Sequence, residues 1–172
     1  SDLCLLIISL FPGLFTQYGT RESNLSINWE GPQSGHWFGL DGQGYDVYTR
    51  VIYGARASIL VGVTATAAAT LIGLVVGALA GFYGGWLDEV ISRLADVVFA
   101  IPLLLGAIVA LSALRNQFPG LGYWGGVFAV SSVLAAFGWP QVARIARGAV
   151  LQIKNLEYVD ASQAIGSTRW RN

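Results

Sequence analysis

Long apolar stretches alternate with shorter polar ones along most of this chain. Four runs contain no Asp, Glu, Lys, Arg or His: residues 3–20, 57–87, 97–114 and 116–143. A helix crosses the ~30 Å hydrocarbon layer of a membrane with about 20 residues. The pattern therefore predicts four membrane-spanning helices, the first of them at residues 1–20 and lacking its N-terminal flank.

Residues 21–56 form a polar, glycine-rich stretch that is long for a connection between helices. Within it, "DVYTRVIYGAR" places Asp46 and Arg50 four residues apart, the pattern of an amphipathic helix at the membrane surface. We predict an extracytoplasmic segment with an interfacial helix over 21–56, followed by a membrane core with three spans over 57–172. The glycines of "GLDGQGYD" fit neither a dinucleotide-binding motif nor a calcium loop, and they predict a turn.

Small residues recur every four positions along the second span, at Ala65, Ala69, Gly73, Gly77, Gly81 and Gly85. Such a stripe lets another helix approach the backbone closely. We predict that Ala69, Gly73, Gly77 and Gly81 pack against a neighbouring helix. The alternative is that Ala and Gly are simply frequent in this span.

Glycine and proline predict where the helices end or bend. In "FYGGWLDE" the two glycines end the second span, and Asp88 falls in the first turn of the next helix. Pro102 and Pro140 are expected to bend the third and fourth spans unless neighbours compensate, either to form a pathway or only for packing. Asp96, at the border of the third span, is a candidate gate or structural residue, and a helix-end cap is the simpler role.

Basic residues gather after the fourth span, and only Arg115 lies in the loop before it. Cytoplasmic flanks carry an excess of Lys and Arg, which predicts a cytoplasmic tail and places residues 21–56 outside. The residues after the fourth span are Arg144, Arg147, Lys154, Arg169 and Arg171.

Composition supports a membrane protein over a very apolar soluble core. Hydrophobic residues make up 54% of the chain and charged residues 12%, against about 25% charged in a soluble domain. The net charge of +0 and the lack of a basic face exclude a general nucleic-acid binder. Cys4 and His36 are the only residues of their types, so the sequence predicts no metal site.

The chemistry of an enzyme is missing from the sequence. No nucleophile and base pair can be assembled, and the only lysine, Lys154, follows Ile153 where a P-loop requires glycine. We therefore predict a chain that is not an enzyme, and energy for any transport has to come from a partner or an ion gradient.

The polar tail has the pattern of a docking element. Residues 157–164 can form a short helix, Gly166 can end it, and Ser167 can cap a second helix. Asp160, Ala161, Ser162 and Gly166 resemble the E-A-A-x-x-x-G loop of ABC importer permeases, which inserts into a groove of the ATP-binding subunit. The alternative is a solvated helix at the membrane edge.

Three further stretches resemble the dipeptide/oligopeptide/nickel permease family. "HWFGLDGQGYDVYTRVIYGARASILVG" is similar to its H-P-L-G-T-D-x-x-G-R-D-V-x-S-R-x-x-Y-G-A-R-x-S-L segment. "GFYGGWLDEVISRLADVVFAIPLLL" and "FGWPQVARIARGAVLQIKNLEYVDASQAIG" match later spans in order and spacing. The resemblance covers residues 36–172. The departures in the first segment are Trp37, Phe38, Leu40, Tyr45 and Thr49, and the arginine replaced by Tyr45 removes a charge that the family could pair.

The resemblance implies an all-α, polytopic helical bundle like an ABC importer type I permease, with four of six spans present and a cytoplasmic coupling helix. It implies the bacterial inner membrane, a second related permease, two ABC ATPase subunits and an extracytoplasmic solute-binding protein as partners. No cofactor is expected in this chain, while ATP and magnesium are expected in the ATPases. Asp160, Ala161, Ser162, Gly166 and Ser167 would couple to the ATPase.

The resemblance implies transport by alternating access, with dipeptides or oligopeptides as the favoured substrates over a nickel complex or haem. The alternative function is a secondary transporter or channel subunit without ATP. Such a protein would use ionisable residues within its spans, and the four charge-free runs contain none.

Overall fold

Helices make up the regular structure of the computed structural model, which describes residues 11–16, 18–19, 22–27, 29–114, 122–154 and 156. Isolated β-bridges, but no strands, occur within these ranges. The predicted all-α fold is confirmed. The helices are α1 (Val47–Tyr83), α2 (Gly85–Ala100), α3 (Leu103–Leu114) and α4 (Gly122–Lys154), with short 3-10 turns at Pro12–Leu14 and Leu25–Ile27.

The chain divides into two compact units, Ser1–Val63 and Thr64–Asn172, which we call unit 1 and unit 2. Their boundary falls inside α1, which runs for 37 residues without a break. The residues predicted to form an interfacial helix are helical and form the first turns of α1; their place at the membrane surface stays a prediction. At 1.5 Å per residue α1 is about 55 Å long, well beyond the ~30 Å hydrocarbon layer.

Two helices, α1 and α4, are long and apolar enough to cross a membrane. A third span exists if the bent pair of α2 and α3 counts as one. The predicted first span lies mainly outside the described residues. The part that is described contains a 3-10 turn at Pro12–Leu14.

The helix break at the paired glycines is confirmed. α1 ends at Tyr83, and Gly84 and Gly85 have φ of +64° and +56°, a left-handed backbone that glycine adopts without a steric penalty. Asp88 lies in the first turn of α2, as predicted.

The predicted bend of the third span at Pro102 is confirmed. α2 ends at Ala100, Ile101 has the extended backbone favoured before proline, and α3 starts after Pro102 at an angle of 92°. With 12 residues, α3 is only about 18 Å long. By contrast, Pro140 lies inside the continuous helix α4 and is fully buried.

In unit 2, α1 packs against α4 through the glycines of the predicted stripe. A Cβ atom at Gly73 would lie 2.8 Å from the carbonyl oxygen of Trp139, and one at Gly77 would lie 2.8 Å from the Cα of Ala143. Both distances are too short for real Cβ contacts, so these positions require glycine unless a backbone moves. One turn further, Gly81 lies against the backbone of Arg147.

The other contacts between α1 and α4 are also made by small side chains. The Cβ of Ala69 would be 3.3 Å from a Cβ atom placed at Gly138. Near the other end of the contact, the hydroxyls of Thr64 and Ser131 are 2.6 Å apart and form a hydrogen bond. Interfaces formed by small side chains, with hydrogen bonds between hydroxyl groups of the two helices, are typical of helix packing in membranes.

Replacing Gly77 by alanine tests this interface. Because the new methyl group would overlap the backbone of Ala143, we expect Gly77→Ala to destabilise the folded protein by about 1–3 kcal/mol. The measurement is the thermal unfolding temperature of the purified full-length protein in detergent. Gly62→Ala is the matched control on the same helix, since a Cβ there would have no neighbour within 4 Å. Equal unfolding temperatures for the two variants would contradict the close approach.

Candidate functional site

The predicted ATPase-coupling residues lie outside the described part of the chain. They are Asp160, Ala161, Ser162, Gly166 and Ser167. The structure does describe α4, which ends at Lys154, shortly before this segment in the sequence. Polar contacts join the last turns of α4 to the ends of α1 and α2, and we call this meeting point, formed by residues 82–88 with Arg147 and Lys154, the helix corner.

An ion pair between Asp88 and Arg147 connects α2 to α4 at the helix corner. Arg147 donates two hydrogen bonds, from Nη2 to Oδ2 of Asp88 at 2.6 Å and from Nε to Oδ1. The side chains of Arg147 and Asp88 are only 37% and 21% exposed. Paired, parallel hydrogen bonds of this type fix the orientation of the two groups as well as their distance.

Lys154 connects the end of α4 to the end of α1. Its Nζ donates a hydrogen bond to the carbonyl oxygen of Phe82 at 3.1 Å. Because the last carbonyls of a helix have no partner within the helix, a lysine at this place satisfies one of them and complements the helix dipole. Arg147 and Lys154 thus tie α4 to both helices that meet at the glycine break.

Asp96 lies within α2 and faces Arg144 at 3.5 Å. Both side chains are more than half exposed, and Arg144 also lies over the ring of Phe99 at 4.8 Å. An exposed pair of this kind contributes about 0–1 kcal/mol. The simpler role considered for Asp96, a helix-end cap, is wrong because the residue lies in the helix interior; its role as a gate stays a prediction.

In unit 1, Asp46 organises the start of α1. Its Oδ2 accepts a hydrogen bond from the backbone N–H of Thr49 at 2.7 Å, the geometry of a helix N-cap. Its Oδ1 lies 3.0 Å from Nδ1 of His36. Burial disfavours the charged carboxylate, but the hydrogen bonds from Thr49 and His36 outweigh it and lower the pKa of Asp46 below its ordinary value.

Arg50 does not pair with Asp46, although the two lie four residues apart in the sequence. Arg50 instead donates a hydrogen bond from Nη1 to Oδ2 of Asp41 at 2.6 Å. The other oxygen of Asp41 accepts the backbone N–H groups of Gln43 and Tyr45, which closes the predicted turn. The bond from Tyr45 is the largest cause that lowers the pKa of Asp41, with a further contribution from Arg50.

Tyr45 is the position at which the family segment has arginine. Here the guanidinium of Arg50 lies 4.2 Å from the centre of the Tyr45 ring, a cation–π contact. The aromatic ring at this position therefore contacts Arg50 directly.

His36 and Thr49 complete the polar core of unit 1. His36 stacks on Tyr18 with ring centres 4.7 Å apart, and its imidazole bonds Asp46. Thr49 is 1% exposed, and its hydroxyl lies 2.5 Å from that of Thr16. These contacts give His36 a structural role in unit 1. Among the described residues, no group of three His, Cys, Asp or Glu side chains could hold a metal ion.

Sequence reasoning missed Asp88, Arg147 and the partners of Asp46. Asp88 and Arg147 are 59 positions apart. The sequence around either residue gives no indication that the two are in contact. The capping role of Asp46 could have been found, because Asp directly before a helical pattern is a common N-cap signal.

Comparison with known proteins identifies relatives for most of the chain. The model of the family "Binding-protein-dependent transport system inner membrane component" matches residues 73–172. The oligopeptide transport system permease protein OppC of Bacillus subtilis is 38% identical over 163 residues, covering 95% of this chain and 50% of the relative. The dipeptide transport system permease protein DppC of the same organism is 41% identical over 162 residues, covering 94% and 46%.

A third relative has a different named substrate. The glutathione transport system permease protein GsiD of Pectobacterium atrosepticum is 38% identical over 141 residues, covering 82% of this chain and 44% of the relative. The chain therefore spans about half the length of the curated relatives it matches.

Replacing Asp46 tests the polar core of unit 1. Asp46→Ala removes both the cap of α1 and the partner of His36, so we expect a loss of about 1–2 kcal/mol in the local stability of unit 1. Asp46→Asn should lose less, because Asn is also a good cap. The measurement is the rate of proteolysis of residues 22–45 in membrane vesicles. Ser34→Ala, at an exposed position, is the control; equal rates for Asp46→Ala and this control would contradict the assignment.

Proposed function

Because the chain belongs to the family of binding-protein-dependent transport system inner membrane components, we propose that it is a permease subunit of an ATP-driven importer of dipeptides or oligopeptides. The chain is a multi-pass protein of the inner membrane. The observation that carries the proposal is the family match over residues 73–172, which includes the glycine interface, the helix corner and the tail.

The names of the relatives favour peptides as the substrate class. Two of them are permease proteins for oligopeptides and dipeptides, and a third is one for glutathione, itself a short peptide. These relatives are transport permease proteins, a class that moves its substrate without chemical change. We therefore assign the chain a role without catalysis, in which ATP and magnesium are bound by partner subunits.

The proposed assembly contains a second, related permease, two ABC ATPase subunits and an extracytoplasmic solute-binding protein. Residues 160–167 would contact the ATPase on the cytoplasmic side, and α4 would transmit its movement into the membrane. α1 and α4 would move together, because their backbones are in contact at Gly73 and Gly77. Transport would proceed by alternating access between the two sides of the membrane.

Substitutions in the tail test the coupling role directly. Gly166→Val should prevent a backbone conformation or a close approach that glycine permits, and Asp160→Lys should reverse the charge of the docking surface. We expect both variants to insert and fold, but to lose most ATPase co-purification or ATP-dependent peptide uptake. The measurement compares both with wild type at matched expression. Normal uptake in both variants would contradict the coupling role, and a wild type that transports without any ATPase would favour a secondary transporter or channel.

The orientation of the chain is tested with single cysteines in a cysteine-free background. We expect Ser34→Cys to react with a membrane-impermeant thiol reagent in intact cells, because residues 21–56 are predicted to lie outside. Ser167→Cys should react only after permeabilisation. The reverse labelling pattern would contradict the proposed topology, including the position of the ATPase.

A further inference from the structure

α2 buries little of its surface in unit 2, and two ion pairs join it to α4. Ala95 is its only buried residue, whereas nine residues of α4 are buried. A cavity of about 70 Å³ lies beside it, lined in part by Gly77, Ala95, Pro140 and Arg147. Where side chains do not interdigitate, the position of a helix depends on its few directional contacts, and the strongest of these in α2 is the pair of hydrogen bonds from Arg147 to Asp88.

α2 also has a break in the helical backbone at each end. At its start, Gly84 and Gly85 have positive φ, and at its end Ile101 is extended before the 92° turn into α3. Backbone breaks at element ends are the places where a rigid segment can change its angle to its neighbours. A change in the angle of α2 can therefore be absorbed at these two breaks.

Arg147 lies on the helix that leads to the tail. It precedes the end of α4 at Lys154 by seven residues, or about 10 Å along the helix axis. A movement of the end of α4 thus reaches Arg147 along a continuous helix and reaches Asp88 through two directional hydrogen bonds.

We propose that Asp88 and Arg147 are positioning residues that make α2 follow the movement of α4, so that ATP hydrolysis and substrate passage stay coupled. This inference rests on the proposed function. The pair acts on the angle of α2 between its two breaks. A weakened pair leaves the ATPase attached to the tail but allows α4 to move without α2.

The test uses the complete transporter, reconstituted in liposomes with its ATPase and solute-binding partners. The quantity measured is the number of ATP molecules hydrolysed per peptide imported. Arg147→Lys keeps the charge but cannot form two parallel hydrogen bonds, and Asp88→Asn removes the charge of the carboxylate. We expect both variants to assemble, with a ratio of ATP to peptide raised at least threefold.

A matched control and a charge exchange make the result specific. Glu89→Gln removes an exposed carboxylate from the neighbouring position of α2 and should keep the wild-type ratio. The double variant Asp88→Arg with Arg147→Asp restores opposite charges across the same gap, and its ratio should fall back towards wild type relative to either charge reversal alone.

Each other outcome counts against the inference or against the proposed function. A wild-type ratio in assembled Arg147→Lys and Asp88→Asn would overturn the inference. Loss of assembly in both variants would also overturn it, because the pair would then be required only for structure. Peptide import by the wild-type transporter without ATP hydrolysis would instead overturn the proposed function. This outcome is measured on the wild type alone, so it is distinguished from a failure of the inference.

Discussion

The close approach of α1 and α4 depends on three positions that have no side chain. A Cβ atom at Gly73, Gly77 or Gly81 would overlap with the backbone or with a β-branched side chain of α4. Lipid provides no hydrophobic force that would press two apolar helices together, so this fit has to come from contact between backbones. The remaining polar contacts of unit 2 follow from it, because Arg147 and Lys154 reach α2 and the end of α1 only when α4 lies this close.

In unit 1, the polar stretch ahead of α1 is ordered by hydrogen bonds and ion pairs. Two of its carboxyl groups have defined partners: Asp46 bonds His36 and the first turn of α1, and Asp41 bonds Arg50 and its own turn. Ionised groups that accept several hydrogen bonds are stabilised in the charged form, which agrees with the lowered pKa of both carboxyls. The family-like segment is therefore a set of charge pairs that fixes the chain ahead of α1.

Local patterns in the sequence predicted the elements whose causes are local. The glycine break after Tyr83, the turn at Asp41 and the spacing of Gly73, Gly77 and Gly81 all depend on residues a few positions apart. The sequence did not reveal the Asp88–Arg147 pair, since that contact exists only after α1 and α4 have packed. It also did not reveal the partner of Arg50, because spacing within a helix takes no account of an Asp41 carboxylate in the preceding turn.

The two prolines show why composition alone could not give the number of spans. Pro102 and Pro140 both remove a backbone donor, yet only Pro102 interrupts its helix. Pro140 is fully buried, and the neighbouring carbonyl of Trp139 lies against Gly73, so packing with α1 supports α4 on both sides of the missing bond. α3, after Pro102, buries none of its residues, and its backbone follows the local preference of the residue before proline. Pro140 is buried where α4 packs against α1, and this packing is not visible in a local run of sequence.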